Sequence, residues 1–227
     1  MKYIVLMLCV FAVLTFQPTS ARADWFDGFE DYAVGSGLHG QGQWFGWEND
    51  PGADAFVSDL YAHSGLNSAQ IISTSDIVHR YSGYTTGVWE YIAWMYIPTP
   101  FSGQTYFILL NTYAGQDSNW SVQVYFQNGI VHSEFDDAEL PWITDQWVEL
   151  KVVIDLDADM QTFFYGGTVL YQKSWTEGVS GGGALNIGGV DLYGNGADTV
   201  YYDDMSLSPP VVSEESVSWG RIKNLYR

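Results

Sequence analysis

Three stretches of this chain alternate polar and aromatic side chains in a way that could recognise sugars. In Trp89–Ile97, Glu90, Trp94 and Tyr96 share one face of an extended chain. Ser121, Gln123 and Tyr125 do so in Trp120–Phe126, and His132, Glu134 and Asp136 in Ile130–Asp136. Sugar hydroxyls need hydrogen bonds, while sugar C–H faces stack on aromatic rings. Glu90, Trp94, Gln123, Tyr125, His132 and Glu134 are therefore the candidate ligand-binding residues. The opposite faces, such as Val122, Val124 and Phe126, read as core. The same alternation also fits an outer sheet that is merely solvated. Glu90 and Trp94 lie on the flanks of their tract, where a one-residue bulge would exchange the two faces.

Other chemistry finds less support. His39, His63, His79 and His132 are scattered, with no His-x-x-x-His pair, and the one cysteine is Cys9, so a zinc site is not expected. No G-x-S-x-G elbow is present for a nucleophilic serine. Asp155, Asp157 and Asp159 open like a calcium loop, but Met160 stands where the required glycine belongs, and the run reads as an acidic turn. Ser180–Gly196 is glycine-rich yet lacks the Gly-Lys-Ser/Thr ending of a phosphate loop, and reads as turns around a flat strand.

The elements that must position these residues are strands. Trp89–Ile97, Thr105–Thr112, Trp120–Phe126 and Trp147–Ile154 are rich in β-branched and aromatic residues, with turn-formers between them. Asn128-Gly129 between two alternating runs is a hairpin signal, because both residues tolerate positive φ. No convincing amphipathic helix precedes residue 213. The loop Gly35–Gly52 carries Trp44, Phe45 and Trp47, so it should pack rather than float. Many short strands at this spacing predict an all-β, two-sheet antiparallel sandwich or jelly roll over residues 24–208.

Composition bounds the partners and the compartment. Between Asp24 and Val212 there are 25 acids against three bases, Arg80, Lys151 and Lys173, and the whole chain carries −19. So acidic a body would be repelled by phosphate backbones and anionic membranes, which excludes nucleic acid as a partner. Met1–Lys2 followed by the apolar Tyr3–Phe16 and Ala21-Arg22-Ala23 predicts a signal peptide over 1–23, cleaved before Asp24. The 14-residue run is too short to span a bilayer, which needs about 20, so no transmembrane segment is expected. Cys9 leaves with the leader, and an exported domain without disulfides must rely on its core or a bound metal. Export to the extracellular space, cell surface or periplasm follows as an expectation.

The strand pattern then becomes specific. The opening DGFEDY, the Trp-rich loop leading to DAFVSD, the run SGLNSAQI, WVELKVVIDLDADMQTFFYGG and the closing YYDDMSL resemble secreted bacterial laminin-G-like domains of the concanavalin A-like lectin/glucanase superfamily. That resemblance implies a jelly roll with a concave face often used for carbohydrate. In such modules the first and last strands lie side by side, and acids in matching positions hold calcium. Carried over, Glu30 in DGFEDY and Asp203 in YYDDMSL would hold one structural calcium ion. Alternation supports Asp203 over its neighbour, since it shares a face with Met205 and Leu207 while Asp204 points with Ser206 to solvent. An inward carboxylate needs a partner, and bases are too few to serve.

Glu134-Phe135-Asp136-Asp137-Ala138-Glu139 resembles the catalytic strand of laminarinase-like glucanases of the same superfamily. That would make Glu134 a nucleophile, Asp136 its electrostatic partner and Glu139 the acid/base of a retaining hydrolase. Asp137 and Ala138 stand where those enzymes carry apolar residues, and Leu140-Pro141 follows at once. The expected function is thus a secreted, non-catalytic carbohydrate-recognition or surface interaction module, the alternatives being a β-glucan hydrolase and a structural envelope protein. The tail 213–227, with Arg221, Lys223 and Arg227 and apolar residues at helical spacing, is expected either to engage a sorting or envelope component or to be a disordered end.

Overall fold

The computed structural model describes residues 24–115, 117–134 and 136–211; the predicted leader and the C-terminal tail lie outside them. Among the described residues the chain is built almost wholly of strands. In order they are β1 Trp25–Asp27, β2 Trp44–Gly46, β3 Phe56–Ser58, β4 Ser68–Ile71, β5 Asp76–Arg80, β6 Val88–Tyr96, β7 Gln104–Thr112 and β8 Asn119–Gln127. There follow β9 Ile130–Ser133, β10 Glu139–Pro141, β11 Trp147–Asp155, β12 Met160–Tyr165, β13 Thr168–Ser174, β14 Gly189–Tyr193 and β15 Val200–Ser208. Two short 3-10 turns, Trp47–Asn49 and Pro51–Ala53, follow β2.

The strands form two sheets in which every pairing is antiparallel, so the chain is a jelly-roll sandwich as predicted. One sheet runs β13-β12-β11-β6-β15-β4-β3 with β1 added alongside β15; the other runs β10-β9-β8-β7-β14-β5-β2. The expected hairpin is present: Gln127 pairs with Ile130, and Asn128 and Gly129 take φ of 52° and 86°. Asp155–Asp159 is the acidic turn between β11 and β12, where Asp155 accepts from the Ala158 N–H.

The core lies between the sheets because each strand alternates. Tyr91, Ala93 and Met95 of β6 and Leu150, Val152 and Ile154 of β11 meet Phe107, Leu109, Val122, Val124 and Phe126 from the opposite sheet. The Trp-rich loop packs as expected: Trp44 is fully buried and its indole N–H donates to Asp27 Oδ2 at 2.8 Å. Beside it lies His79 of β5, 2% exposed and ringed by Trp25, Trp44 and Tyr81 at centroid distances of 4.6, 5.1 and 4.8 Å.

One core hydroxyl is left over. Tyr202 of β15 is fully buried and its hydroxyl has no partner among the described residues. A buried polar group without a partner costs about 1–3 kcal/mol, so removing it should relieve strain rather than add it. Tyr202→Phe is expected to leave stability unchanged or raise it by about 1 kcal/mol in urea melts. A loss of more than that amount would mean that the hydroxyl has a partner after all.

Candidate functional site

The outer face of the seven-stranded sheet carries a continuous row of rings. Register places His132 opposite Tyr125, Tyr125 opposite Tyr106, and Tyr106 opposite Tyr193. The rings follow one another at 4.5, 5.6 and 5.8 Å between centroids, with the first and last pairs stacked. Asp76 of β5 pairs with Tyr193 and ends the row, while Glu139 of β10 pairs with His132 at its other end and meets its Nδ1 at 2.9 Å. A second outward row runs from Gln123 through Ile108 and Asp191 to Val78 and Phe45.

These rows floor a cleft of about 490 Å³. Gln123, Ile108, Asp191, Asp76 and Tyr193 form its base, and Trp47 and Trp120 rise at its side with their rings stacked at 6.0 Å. Trp47 comes from the loop after β2, where Glu48 takes φ of 54° and its N–H donates to the Tyr113 hydroxyl at 3.0 Å. Trp120 is held by the segment after β13: Ser180 Oγ accepts from the Trp120 N–H at 2.9 Å. That segment passes close to the sheet at Gly178, where a Cβ would lie 2.5 Å from Gln161 Nε2 and 2.6 Å from the Ser121 carbonyl. Any side chain there would push the wall away.

The chemically distinctive groups are Asp76 and Asp191. They are diagonal neighbours on β5 and β14, and each carboxyl acts on the other. Asp191 is only 3% exposed, and Oδ1 of each residue is buried without a partner from the rest of the described protein. Burial, and then the neighbouring Asp76, push the Asp191 carboxyl well above the usual range; burial also raises Asp76. Two carboxyls so placed favour sharing one proton over both being charged. Farther along the sheet, Glu134 Oε2 is likewise buried and unpartnered among the described residues. Its charge lies near Tyr106, whose phenol is pushed to about 12, first by burial and then by Glu134.

The structure therefore brings Gln123, Tyr125, His132 and Glu134 together on one face, with Gln123 inside the cleft and the other three beside it. Glu90 and Trp94 do not join them. They sit on β6 of the other sheet, pointing to its outer face, where Trp94 stacks on His63 at 3.9 Å. Periodicity tells which side of a strand a residue occupies but not which sheet owns the strand. Ser121 also departs from its expected face. A bulge in the β7–β8 pairing turns it inward, where its Oγ accepts from Asn111 Nδ2, and turns Trp120 out to the cleft.

The strand that the glucanase resemblance implied is interrupted. β9 ends at Ser133 and β10 begins at Glu139, so Glu134, Asp136 and Glu139 do not project from one strand. Asp136 is held by Lys173 Nζ at 2.7 Å and the Ser133 hydroxyl at 2.9 Å, and Glu139 is the exposed partner of His132. Asp137 and Ala138, both residue types depleted in strands, favour this turn over a continued strand at the sheet edge.

Glu30 and Asp203 converge on one loop. Glu30 Oε1 accepts from the Leu66 and Asn67 N–H groups, each at 2.8 Å. Asp203, fully buried, accepts from the N–H groups of His63 and Ser64 at Oδ2 and of Asp204 at Oδ1. Burial still pushes its carboxyl up to about 6 against those amides. The partner that an inward carboxylate requires is thus supplied in part by backbone. Asp204 does not point to open solvent as alternation implied: at a bulge with φ of 43° it receives the Ser64 hydroxyl at 2.8 Å and meets His63 Nδ1 at 2.6 Å. Among the described residues no three His, Cys, Asp or Glu side chains gather as a metal cage.

Comparison with known proteins adds the fold. No family model matches the chain, and no curated protein sequence matches it. Among solved structures it is similar to a sialidase, with a TM-score of 0.54 and 9% identity over 83% of this chain and 19% of that one. It is also similar to a cellulose-induced protein, with a TM-score of 0.49 and 16% identity over 83% of this chain and 92% of the other. A galectin of Caenorhabditis elegans aligns with a TM-score of 0.39 and 12% identity over 58% and 89% of the two chains. The chain spans less than a fifth of the sialidase's length. At such identities the likeness shows the fold alone, a two-sheet β-sandwich.

Proposed function

We propose that this chain is an exported, non-catalytic carbohydrate-recognition module of the laminin-G-like, concanavalin A-like kind. One observation carries the reading: a row of outward rings that runs across the sheet into a cleft walled by Trp47 and Trp120 and floored by polar groups. Rings for C–H faces and buried acceptors for hydroxyls are the two requirements of a saccharide, and the cleft volume falls in the range of small-ligand sites. The appearance of this sandwich within a sialidase supports a setting among glycans. Export is supported by the leader-like residues 1–23 and by the lack of any cysteine after Cys9.

The test is a glycan array followed by titration, with a reducing-sugar assay on mixed β-glucans beside it. Tyr125→Ala is expected to weaken glycan binding by about 1 kcal/mol, the usual worth of one stacked ring at a rim. Trp94→Ala, on the other sheet, should leave affinity unchanged, and Glu139→Gln should too. Binding lost on Trp94→Ala with Tyr125→Ala inert would move the site to the opposite face. Sugar released by the wild type but not by Glu139→Gln would turn the reading to a hydrolase, and an empty array would favour a structural envelope protein.

Calcium is a second, separate proposal. Glu30 Oε2 and the remaining lone pair of Asp203 Oδ1 are the oxygens that the backbone amides do not use. An ion held there, with carbonyls and water completing its shell, would tie β1 and β15 to the loop at residues 63–67. Calcium at 100 times its dissociation constant is expected to add about 2.7 kcal/mol of stability. Thermal unfolding of loaded and chelator-stripped protein checks this, with Glu30→Gln and Asp203→Asn abolishing the difference. An unmoved midpoint on stripping overturns the clamp.

A further inference from the structure

We propose that the cleft prefers glycans bearing a free amino group, with the ammonium seated on the Asp76–Asp191 pair. The inference rests on the carbohydrate reading above and names the ligand class. Asp191 is buried to 3% exposure at the base of the cleft, and Asp76 reaches it from the neighbouring strand. No Lys, Arg or His lines the cleft among the described residues. The Lys and Arg residues of the described chain are engaged elsewhere: Arg80 lies over the rings of Phe45 and Tyr113 at 5.6 and 4.7 Å, Lys151 lies over Phe164, and Lys173 is on Asp136.

A carboxyl pair with one shared proton carries a single negative charge in a half-buried place. An acidic sugar would add like charge there. A neutral sugar can donate a hydroxyl but leaves the charge unpaired, which is costly under burial. An ammonium group brings one positive charge and three N–H donors with no acceptor, matching carboxyl oxygens that only need donors. Trp47 and Trp120 beside it offer ring faces both to a cation and to the sugar's C–H surface.

Binding of an ammonium favours the fully ionised pair, so the shared proton passes to solvent as the ligand enters. The other titratable groups that face the pair are tyrosines and one acid. Tyr193 is on β14, Tyr106 is next in the ring row, Tyr202 lies beneath from β15, and Glu134 lies past Tyr106. Burial raises the phenols of Tyr106 and Tyr202, so their protons are not the ones released at neutral pH. Affinity for the amine should therefore rise with pH as the pair gives up its proton, for as long as the amine stays charged.

The experiment titrates the exported chain at pH 6 with a β-1,4-linked glucosamine trimer, its fully N-acetylated analogue and cellotriose, each in two buffers of different ionisation enthalpy. The free amine is expected to bind at least tenfold more tightly than either neutral trimer and to release protons, while the neutral trimers release none. Asp191→Asn and, independently, Asp76→Asn should abolish both the preference and the proton release while keeping neutral binding. Each asparagine keeps the single charge of the proton-sharing pair but cannot become the doubly charged seat that an ammonium stabilises, and general attraction to a strongly acidic body would barely respond, so these variants separate a seat from a field. Equal affinity for amine and acetamide, a preference that survives both substitutions, or binding that requires a divalent ion overturns the proposal. If neutral trimers bind and the amine gains nothing, this inference falls and the carbohydrate reading stands. If none of the three binds and the array is also empty, both fall.

Discussion

Lowering the pH from 7 to 4 is expected to cost the wild-type protein about 2–3 kcal/mol more than a His79→Leu variant. His79 is caged by Trp25, Trp44 and Tyr81; neither ring nitrogen makes a regular hydrogen bond among the described residues, and the Gly42 backbone nearby only partly offsets burial. Burial pushes its pKa from 6.5 down to about 4, so it folds as the neutral ring. A depressed folded pKa contributes stability that is complete above about 6.5 and is lost as pH falls through 4. At about 1.4 kcal/mol per unit, a shift of that size corresponds to the upper end of the stated cost. Cation–π attraction from the surrounding rings would reduce it by roughly 1 kcal/mol. Leucine has a similar volume and does not titrate, so the variant should keep the packing and lose the acid sensitivity.

The comparison with a variant matters because other groups act in the opposite direction. Asp76, Asp191 and Asp203 have carboxyls raised by burial, and such groups contribute stability that is present at low pH and lost as pH rises. Acidification from 6 toward 4 therefore gains from the acids while it loses from His79. The wild-type curve alone mixes the two, but the difference between wild type and His79→Leu in urea melts isolates the imidazole. A difference that stays flat between pH 7 and 4 would show that the ring charges inside the core without cost, and the assigned cage would be wrong.

Replacing Trp47 and Trp120 together with alanine is expected to weaken glycan binding by about 3 kcal/mol, on the order of a hundred-fold. Each indole offers apolar area to a sugar ring plus a stacking increment, which together are worth about 1.5 kcal/mol per residue. The two rings stack on each other at 6.0 Å, so the single variants should not add to the double one. Trp47→Ala should also loosen Trp120, and the reverse. Both rings are partly exposed and lie outside the buried core, so stability should change far less than affinity. Titration with the best array ligand, alongside a urea melt of each variant, measures both quantities. Full affinity in a folded double variant would remove the cleft as the binding site and with it the proposed function.

The amino-acid pattern alone determined the class of fold and much of one candidate binding face. Alternation of β-branched and aromatic residues over Trp120–Phe126 and Trp147–Ile154, and the Asn128-Gly129 turn, are local signals, because side-chain direction in a strand depends only on the parity of the position. Parity also carried Gln123, Tyr125 and His132 correctly to one surface, since their two strands are joined by that tight hairpin. What tertiary structure decided was everything that local parity cannot reach. β6 paired with β11 and β15 and took Glu90 and Trp94 to the far sheet, a matter of long-range strand order. A bulge opposite Leu109–Leu110 broke the parity of β8 and exchanged the faces of Trp120 and Ser121, which hid the most useful ring of the cleft. Asp76 and Asp191 are more than a hundred residues apart, on short strands where each looks like an isolated acid. Only the diagonal neighbourhood of two antiparallel strands makes them an interacting pair, because a carboxyl's ionisation is set by what burial and a second carboxyl do to it.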